Sequence, residues 1–190
     1  IFAYSSRHNH ELCYAVSDYP DRDFTFGGTL VDQGDLFLHG NEEESKALNY
    51  LGNTHGGMLN IGEAWYIFYH RQTNQHSYSR QACAEDWSTL PLRIQASVVT
   101  GCGLNGGPLN GTGRYEARIA CNLWSKNGVA RYDQKFDKKA HPYLTQTGKD
   151  RMENGDQYIA NMRDGAVAGF KYFGFGDEKC ISLTIRGVCS

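Results

Sequence analysis

The sequence reads HGGMLNI at residues 55–61, WYIFYHR at residues 65–71 and RQACAE at residues 80–85. Each run is rich in aromatic or small apolar residues and is bounded by Gly or polar residues, a pattern typical of short β-strands. The run LRIQASV at residues 92–98 continues the series. Four evenly spaced short strands predict an up-and-down antiparallel sheet, which is the unit of a β-propeller blade.

The residues before this sheet predict most of a preceding blade. Short alternating runs occupy residues 1–5, 11–17 and 27–31. Two blades cannot close a ring, so residues 1–98 are predicted to form an incomplete propeller. We therefore expect an all-β fold in this part of the chain.

A change of composition follows residue 98. Residues 99–113 are predicted to be a Gly-rich linker, because residues 101–113 contain six Gly. Further strand patterns then predict a β-sandwich-like domain over residues 114–190, whose last strand pattern lies so near residue 190 that we expect the domain to be cut short. The patterns are at residues 114–123, 157–162, 168–173 and 180–186.

The composition argues against several classes of partner. The net charge is −2 and charged residues make up 21% of the chain, which favours neither nucleic acid nor an anionic membrane surface. No apolar run approaches about 18 residues, so no membrane span is predicted. The first residue is Ile1, and we expect the chain to be an internal piece of a longer protein. The sequence leaves the oligomeric state open.

The six Cys do not indicate a zinc site, because none forms a C-x-x-C pair. Cys13 and Cys83 lie inside strand patterns, where a small apolar residue fits, so we expect them to be buried free thiols. Disulfides between other Cys, and the redox compartment, stay open.

Residues 52–85 carry a resemblance to a known family. Their features are the pairs His55-Gly56, Trp65-Tyr66 and Tyr69-His70, followed by Arg80 on the next strand. This set resembles the last blade of glycoside hydrolase family 43, the five-bladed propeller hydrolases of arabinose- and xylose-containing polysaccharides. Residues 4–20 resemble the penultimate blade of that family, and residues 155–173 resemble the start of a family 6 carbohydrate-binding module.

The resemblance implies an inverting glycosidase whose catalytic carboxylates lie upstream of Ile1. Inverting enzymes use two carboxyl groups roughly 6.5–9.5 Å apart. The family places its Asp base, an auxiliary Asp and its Glu acid before the region that this chain matches, so we expect no catalytic residue here. Glu11, Glu85 and Asp86 are the alternative carboxylates, and we interpret each as structural.

The resemblance also implies roles for His55 and Arg80. His55 is expected in the central channel of the propeller, in contact with a structural calcium ion or its waters; a hydrogen-bonded structural His is the alternative. Arg80 is expected on the active-site floor, where a guanidinium can hold a carboxylate and a sugar hydroxyl together; a surface Arg is the alternative. Strand alternation places Arg80, Ala82 and Ala84 on one face of their strand. His70 and Arg71 are interpreted as support at the end of their strand.

The predicted function is therefore hydrolysis of arabinose- or xylose-containing plant polysaccharides by the whole protein, with this chain alone inactive. The expected partner is a polysaccharide or oligosaccharide. The alternative is a non-catalytic carbohydrate-binding protein. An extracellular or cell-surface location in a bacterium is the expectation for the parent protein.

Overall fold

The computed structural model shows an all-β protein, with no α-helix among the residues that it describes. The described residues are 1–6, 11–36, 43–52, 54–87, 97–98, 101–132, 134–135, 137, 139–149, 155–177, 181–183 and 185. None of their helical segments is long and apolar enough to cross a membrane. The sheets are small and unclosed, as in part of a propeller followed by a sandwich-like unit.

Two sheets build the first part of the molecule. The first has the order β1-β2-β3-β7, and the second has the order β4-β5-β6 with both pairs antiparallel. Their strands are β1 Phe2–Ser5, β2 Leu12–Val16, β3 Thr25–Asp32, β4 Gly56–Ile61, β5 Ala64–Gln72, β6 Arg80–Asp86 and β7 Ser97–Val98. The three strands predicted at residues 55–85 therefore pair with each other in chain order.

The prediction that residues 92–98 form the fourth strand of this sheet was wrong for the two residues of it that the structure describes. Ser97–Val98 pair in parallel with Val31–Asp32 of β3, and so belong to the other sheet. Residues 92–96, which carry the rest of that predicted strand, lie outside the described residues. The edge of β3 presents backbone N–H and C=O groups that need partners, and the returning chain supplies them there.

The later part of the chain contains three two-stranded sheets. They are β9 with β12, β10 with β11, and a short parallel pair of β8 with β13. These strands are β8 Leu109–Asn110, β9 Asn122–Trp124, β10 Tyr143–Gln146, β11 Gln157–Ala160, β12 Val167–Gly169 and β13 Phe173–Gly174. Single 3₁₀ turns lie at Glu44–Lys46, Gly103–Asn105 and Ala117–Ile119.

Three strand predictions in this later part need correction. Residues 114–123 form a 3₁₀ turn and only the start of β9, because the Arg118 and Ala120 carbonyls accept side-chain hydrogen bonds rather than strand hydrogen bonds. Residues 168–173 are divided between β12 and β13. Of residues 180–186, those described at 181–183 and 185 are not in a strand, and the Ile181 side chain is 79% exposed.

The main hydrophobic core lies between the first two sheets. Its fully or nearly fully buried residues are Leu12, Tyr14, Leu30, Val31, Ile67, Tyr69 and Cys121. Close approach of the strands is possible because Gly56 has no side chain: a Cβ there would lie 2.0 Å from the Phe68 carbonyl oxygen. Cys121 comes from the later part of the chain, so that part helps to build the core of the first.

Further contacts join the later residues to the first part. The Leu123 amide donates to the Leu48 carbonyl at 2.7 Å, and the Asn74 amide donates to the Leu144 carbonyl at 2.6 Å. Leu51 also forms an isolated parallel bridge with Arg131. The division at residues 98 and 114 stays a prediction, but the two sides of it are connected by direct hydrogen bonds.

The four described cysteines are free thiols. Cys13 and Cys121 are buried, and Cys83 is half-buried against the main core. Burial raises the pKa of Cys121 to about 11 and also raises the pKa values of Cys13 and Cys83. These side chains are therefore protonated at neutral pH and act as small apolar residues.

Asp32 is a buried carboxyl at the end of β3. It is 3% exposed, and its Oδ1 accepts a hydrogen bond from the Gly34 amide at 2.9 Å. Burial, followed by the charge of Glu11, raises the pKa of Asp32 from 3.8 to about 7. The folded state therefore holds a proton that the unfolded state releases near pH 4.

We predict that Asp32→Asn flattens the pH dependence of stability. A raised carboxyl pKa contributes stability that is present below pH 4 and is lost as pH rises through about 7. Asn keeps an acceptor for the Gly34 amide without the buried charge. At pH 8 the free energy of unfolding of the variant should therefore be about 1–2 kcal/mol higher than that of the parent chain. Urea unfolding at pH 5 and pH 8 measures this difference. Asp21→Asn, at an exposed position, is the control, and equal pH slopes for parent and Asp32→Asn would contradict the prediction.

Candidate functional site

The β4-β5-β6 sheet places the predicted site residues on one face. His70 pairs with Ala82 and Gln72 pairs with Arg80, so His70 and Arg80 point to the same side of the sheet. His55 directly precedes β4, and its ring lies over the His70 ring with the centroids 6.3 Å apart and the planes 24° from parallel. His55, His70 and Arg80 therefore share the face that points away from the main core.

His55 is exposed and is held mainly through its backbone. Its carbonyl oxygen accepts a hydrogen bond from the His70 amide at 3.2 Å. Calcium prefers six to eight oxygen ligands. Among the described residues, no group of three or more His, Cys, Asp or Glu is arranged to hold a metal ion. The residues described around His55 thus do not make up a calcium site by themselves. The contact of His55 with calcium stays a prediction.

Arg80 begins β6 and is exposed. Its Nη1 donates to the Ser77 carbonyl oxygen. Alternation along β6 puts Ala82 on the Arg80 face, while Gln81, Cys83 and Glu85 face the opposite way, toward buried residues. Arg80 and His55 share a face, but the structure records no direct contact between these two side chains.

The opposite face of the sheet carries a buried polar network. Arg71 is 5% exposed; its Nε donates to Gln81 Oε1 at 2.7 Å, and its two terminal nitrogens donate to the carbonyl oxygens of Ala120 and Arg118. A buried guanidinium is tolerated when its donors are satisfied in this way. Arg71 therefore fastens the sheet to the turn at Ala117–Ile119, which agrees with its interpretation as structural support.

Glu85 also lies on the buried face. It is 3% exposed, and its Oε1 accepts a hydrogen bond from the Tyr69 hydroxyl at 2.9 Å. Burial, and then the nearby Cys83 and Glu85, raise the pKa of Tyr69 well above its usual value. Glu85 is thus part of the core rather than a carboxylate facing substrate, as its interpretation as structural requires.

A polar pocket lies beside Arg80. It is enclosed by the loop before β6, the turn that contains Arg118, and the β10-β11 hairpin, and its volume is about 140 Å³. Its lining residues are Thr73, Asn74, Ser79, Arg80, Gln81, Arg118, Leu144, Thr145, Gln146, Gly148 and Gln157. Sequence reasoning selected Arg80 but missed Arg118 and Gln157, because nothing in their local sequence indicates that they meet Arg80.

A second acidic group, Asp35, follows β3 at the same end as Asp32. Asp35 Oδ2 forms an ion pair with Lys171 Nζ at 2.6 Å and accepts from Asn122 Nδ2 at 3.3 Å. Both partners come from the later part of the chain. Asp35 is thus a second polar connection between the early and late residues.

The chain is similar to a protein from Thermoclostridium stercorarium named xylosidase/arabinosidase. The two sequences are 42% identical over 191 residues, an alignment that covers 99% of this chain. The aligned region makes up 40% of the relative, so the chain spans less than half of that protein's length. No family model matches the chain. No solved structure matches it either.

We predict that Arg71→Met destabilises the chain by about 3 kcal/mol. The substitution keeps an unbranched apolar side chain but removes the donors for Gln81 Oε1 and for the Ala120 and Arg118 carbonyls, and each buried hydrogen bond to a charged group contributes about 1.5–3 kcal/mol. Arg71→Lys keeps the charge without the planar fork and should fall between parent and Met variant. Chemical unfolding measures both effects.

The matched control is Arg80→Met, which removes an exposed guanidinium from the same sheet and should change the free energy of unfolding by no more than about 0.5 kcal/mol. Equal losses for Arg71→Met and Arg80→Met would contradict the anchoring role of Arg71.

Proposed function

We propose that this chain is part of a glycoside hydrolase that acts on arabinose- or xylose-containing polysaccharides or oligosaccharides. The observation that carries the proposal is the 42% identity, over 99% of the chain, to the relative named xylosidase/arabinosidase. The all-β fold with small, unclosed sheets supports it, because a propeller blade is built from such sheets.

The finer assignment is an inverting enzyme of glycoside hydrolase family 43 with a five-bladed propeller, followed by a module similar to family 6 carbohydrate-binding modules. Its support is the residue pattern of positions 52–85, which lies on three paired strands. The catalytic carboxylates would come from residues outside this chain, since the chain spans 40% of the relative.

Arg80 and His55 are the proposed active-site residues of this chain. Both lie on the face of the β4-β5-β6 sheet that points away from the core, with His70 beside them. Arg80 would hold a carboxylate and a sugar hydroxyl through its guanidinium, which presents donors in a planar fork. His55 would line the propeller channel, next to a structural calcium ion or a network of waters.

The alternative function is a non-catalytic carbohydrate-binding protein. The observation in its favour is the placement of Glu85, which is in the core and is bonded to Tyr69. Glu85 therefore does not face the surface that carries Arg80 and His55. Activity of the longer protein distinguishes the two functions.

We predict that the 190-residue chain alone does not hydrolyse aryl α-L-arabinofuranoside or aryl β-D-xyloside. A longer protein from the same coding sequence should hydrolyse one of them, and NMR of the first-formed sugar should show inversion of the anomeric configuration. Saturable hydrolysis by the chain alone would contradict the location of the carboxylates. Retention of configuration would contradict the inverting mechanism, and inactivity of the longer protein on both substrates and on arabinoxylan would favour the carbohydrate-binding alternative.

We also predict that Arg80→Lys in the longer protein lowers kcat/KM at least about tenfold, because Lys keeps the charge but loses the forked geometry. Since Arg80 is exposed, the thermal midpoint should stay nearly constant. Arg22→Lys, at another exposed position, is the matched control. Near-normal turnover combined with a lowered midpoint would show that Arg80 is structural.

A further inference from the structure

The polar pocket beside Arg80 has an excess of positive charge. Arg80 and Arg118 are its two charged lining residues, and no carboxylate is among the described residues that line it. Glu116 pairs with Arg118 from outside the pocket and neutralises part of this charge. Among the described residues, Arg80 has no carboxylate partner, which makes the pocket suited to an anionic group.

Both guanidinium groups keep donors available. Arg80 uses only Nη1, which donates to the Ser77 carbonyl oxygen. Arg118 uses Nε toward Glu116 and Nη1 toward Gln157 Oε1, the latter at the long distance of 3.4 Å. Within the described part of the chain, Nη2 of each side chain makes no recorded hydrogen bond. Each guanidinium therefore keeps an Nη2 donor for a ligand carboxylate without giving up its internal contacts.

The Gln157 side-chain oxygen is weakly engaged. Gln81 Nε2 and Arg118 Nη1 both donate to Gln157 Oε1, and each distance is 3.4 Å, near the limit for a hydrogen bond. Gln157 can therefore exchange these long contacts for contacts with the hydroxyl groups of a sugar, which both donate and accept.

We propose that this pocket binds the carboxylate end of a uronic acid residue in a polysaccharide. Arg80 and Arg118 would hold the carboxylate, while Gln157 would contact the neighbouring ring hydroxyls. The volume of about 140 Å³ is room for roughly five waters at about 30 Å³ each, which suits one terminal sugar acid rather than an oligosaccharide. A neutral pentose would leave the Arg80 guanidinium without an anionic partner.

The proposal rests on the proposed function, since it names one sugar unit of the polysaccharide on which the protein would act. It adds Arg118 and Gln157, from the later part of the chain, to Arg80, which is one of the two predicted active-site residues. The site would select acid-substituted polysaccharides over neutral ones.

The test is binding of methyl α-D-glucuronoside to the 190-residue chain, followed by NMR or calorimetry at low salt. Methyl α-D-glucoside, which lacks the carboxylate, and sodium acetate, which lacks the ring, are the matched probes. We expect the glucuronoside to bind at least tenfold more tightly than either, with an affinity that falls as NaCl is added. Equal binding of acetate would overturn the sugar assignment, and absence of glucuronoside binding would overturn the proposal.

Two variants locate the binding. Arg118→Gln removes one guanidinium while its backbone carbonyl remains for Arg71, and it should weaken glucuronoside binding roughly tenfold. Gln157→Glu places a negative charge beside the ligand carboxylate and should abolish binding. Arg114→Gln makes the same change of charge at an exposed neighbouring position and should bind like the parent chain. Unfolding curves for all three show which are folded, and parent-like binding by folded Arg118→Gln and Gln157→Glu would overturn the proposal.

Failure of this proposal is distinguishable from failure of the proposed function. Hydrolysis of neutral aryl arabinofuranosides or xylosides by the longer protein does not require a uronic acid. An active enzyme whose chain ignores the glucuronoside would disprove only the uronate site. Binding of the glucuronoside by a protein without hydrolytic activity would instead support the carbohydrate-binding alternative.

Discussion

The Arg71 guanidinium is taken out of water at the point where the β4-β5-β6 sheet meets the turn before β9. Removing such a charge from water costs several kcal/mol unless its donors find acceptors. Those acceptors are one side chain of the same sheet, Gln81, and two backbone carbonyls from residues 118 and 120. The sheet and the turn must therefore stay together, because separating them would leave a buried cation without partners.

This contact has consequences on both sides of the turn. On the inner side it accompanies the insertion of Cys121 into the main core, where Cys121 packs with residues such as Ile67 and Tyr69. On the outer side, the Arg118 carbonyl points toward Arg71 while its side chain reaches Gln157. The polar pocket beside Arg80 exists because the backbone of residue 118 is held in place from the interior.

The sequence predicts which residues alternate between the two faces of a strand. It does not predict which neighbouring strand a segment pairs with. For β6, alternation correctly separates Arg80 and Ala82 from the inward-facing Cys83 and Glu85. The same reasoning wrongly assigned Ser97–Val98 to this sheet, since these two residues pair with β3. A strand pattern describes the two faces of a strand, whereas the choice of neighbour depends on which sheet edge has backbone groups without partners. The roles of His55 and Arg80 could be predicted only through family resemblance.

The sequence by itself determined that the chain is all-β and where the three strands of residues 55–85 lie. These properties depend on residues near one another in the chain. Only the tertiary structure decided that Arg71 is buried and that Arg118 and Gln157 meet Arg80 at one pocket. Arg71 and its acceptor at Ala120 are 49 residues apart, and Gln81 and Gln157 are 76 residues apart. The physical reason is that burial of a charge and convergence of polar groups depend on how distant segments pack, which no local pattern encodes.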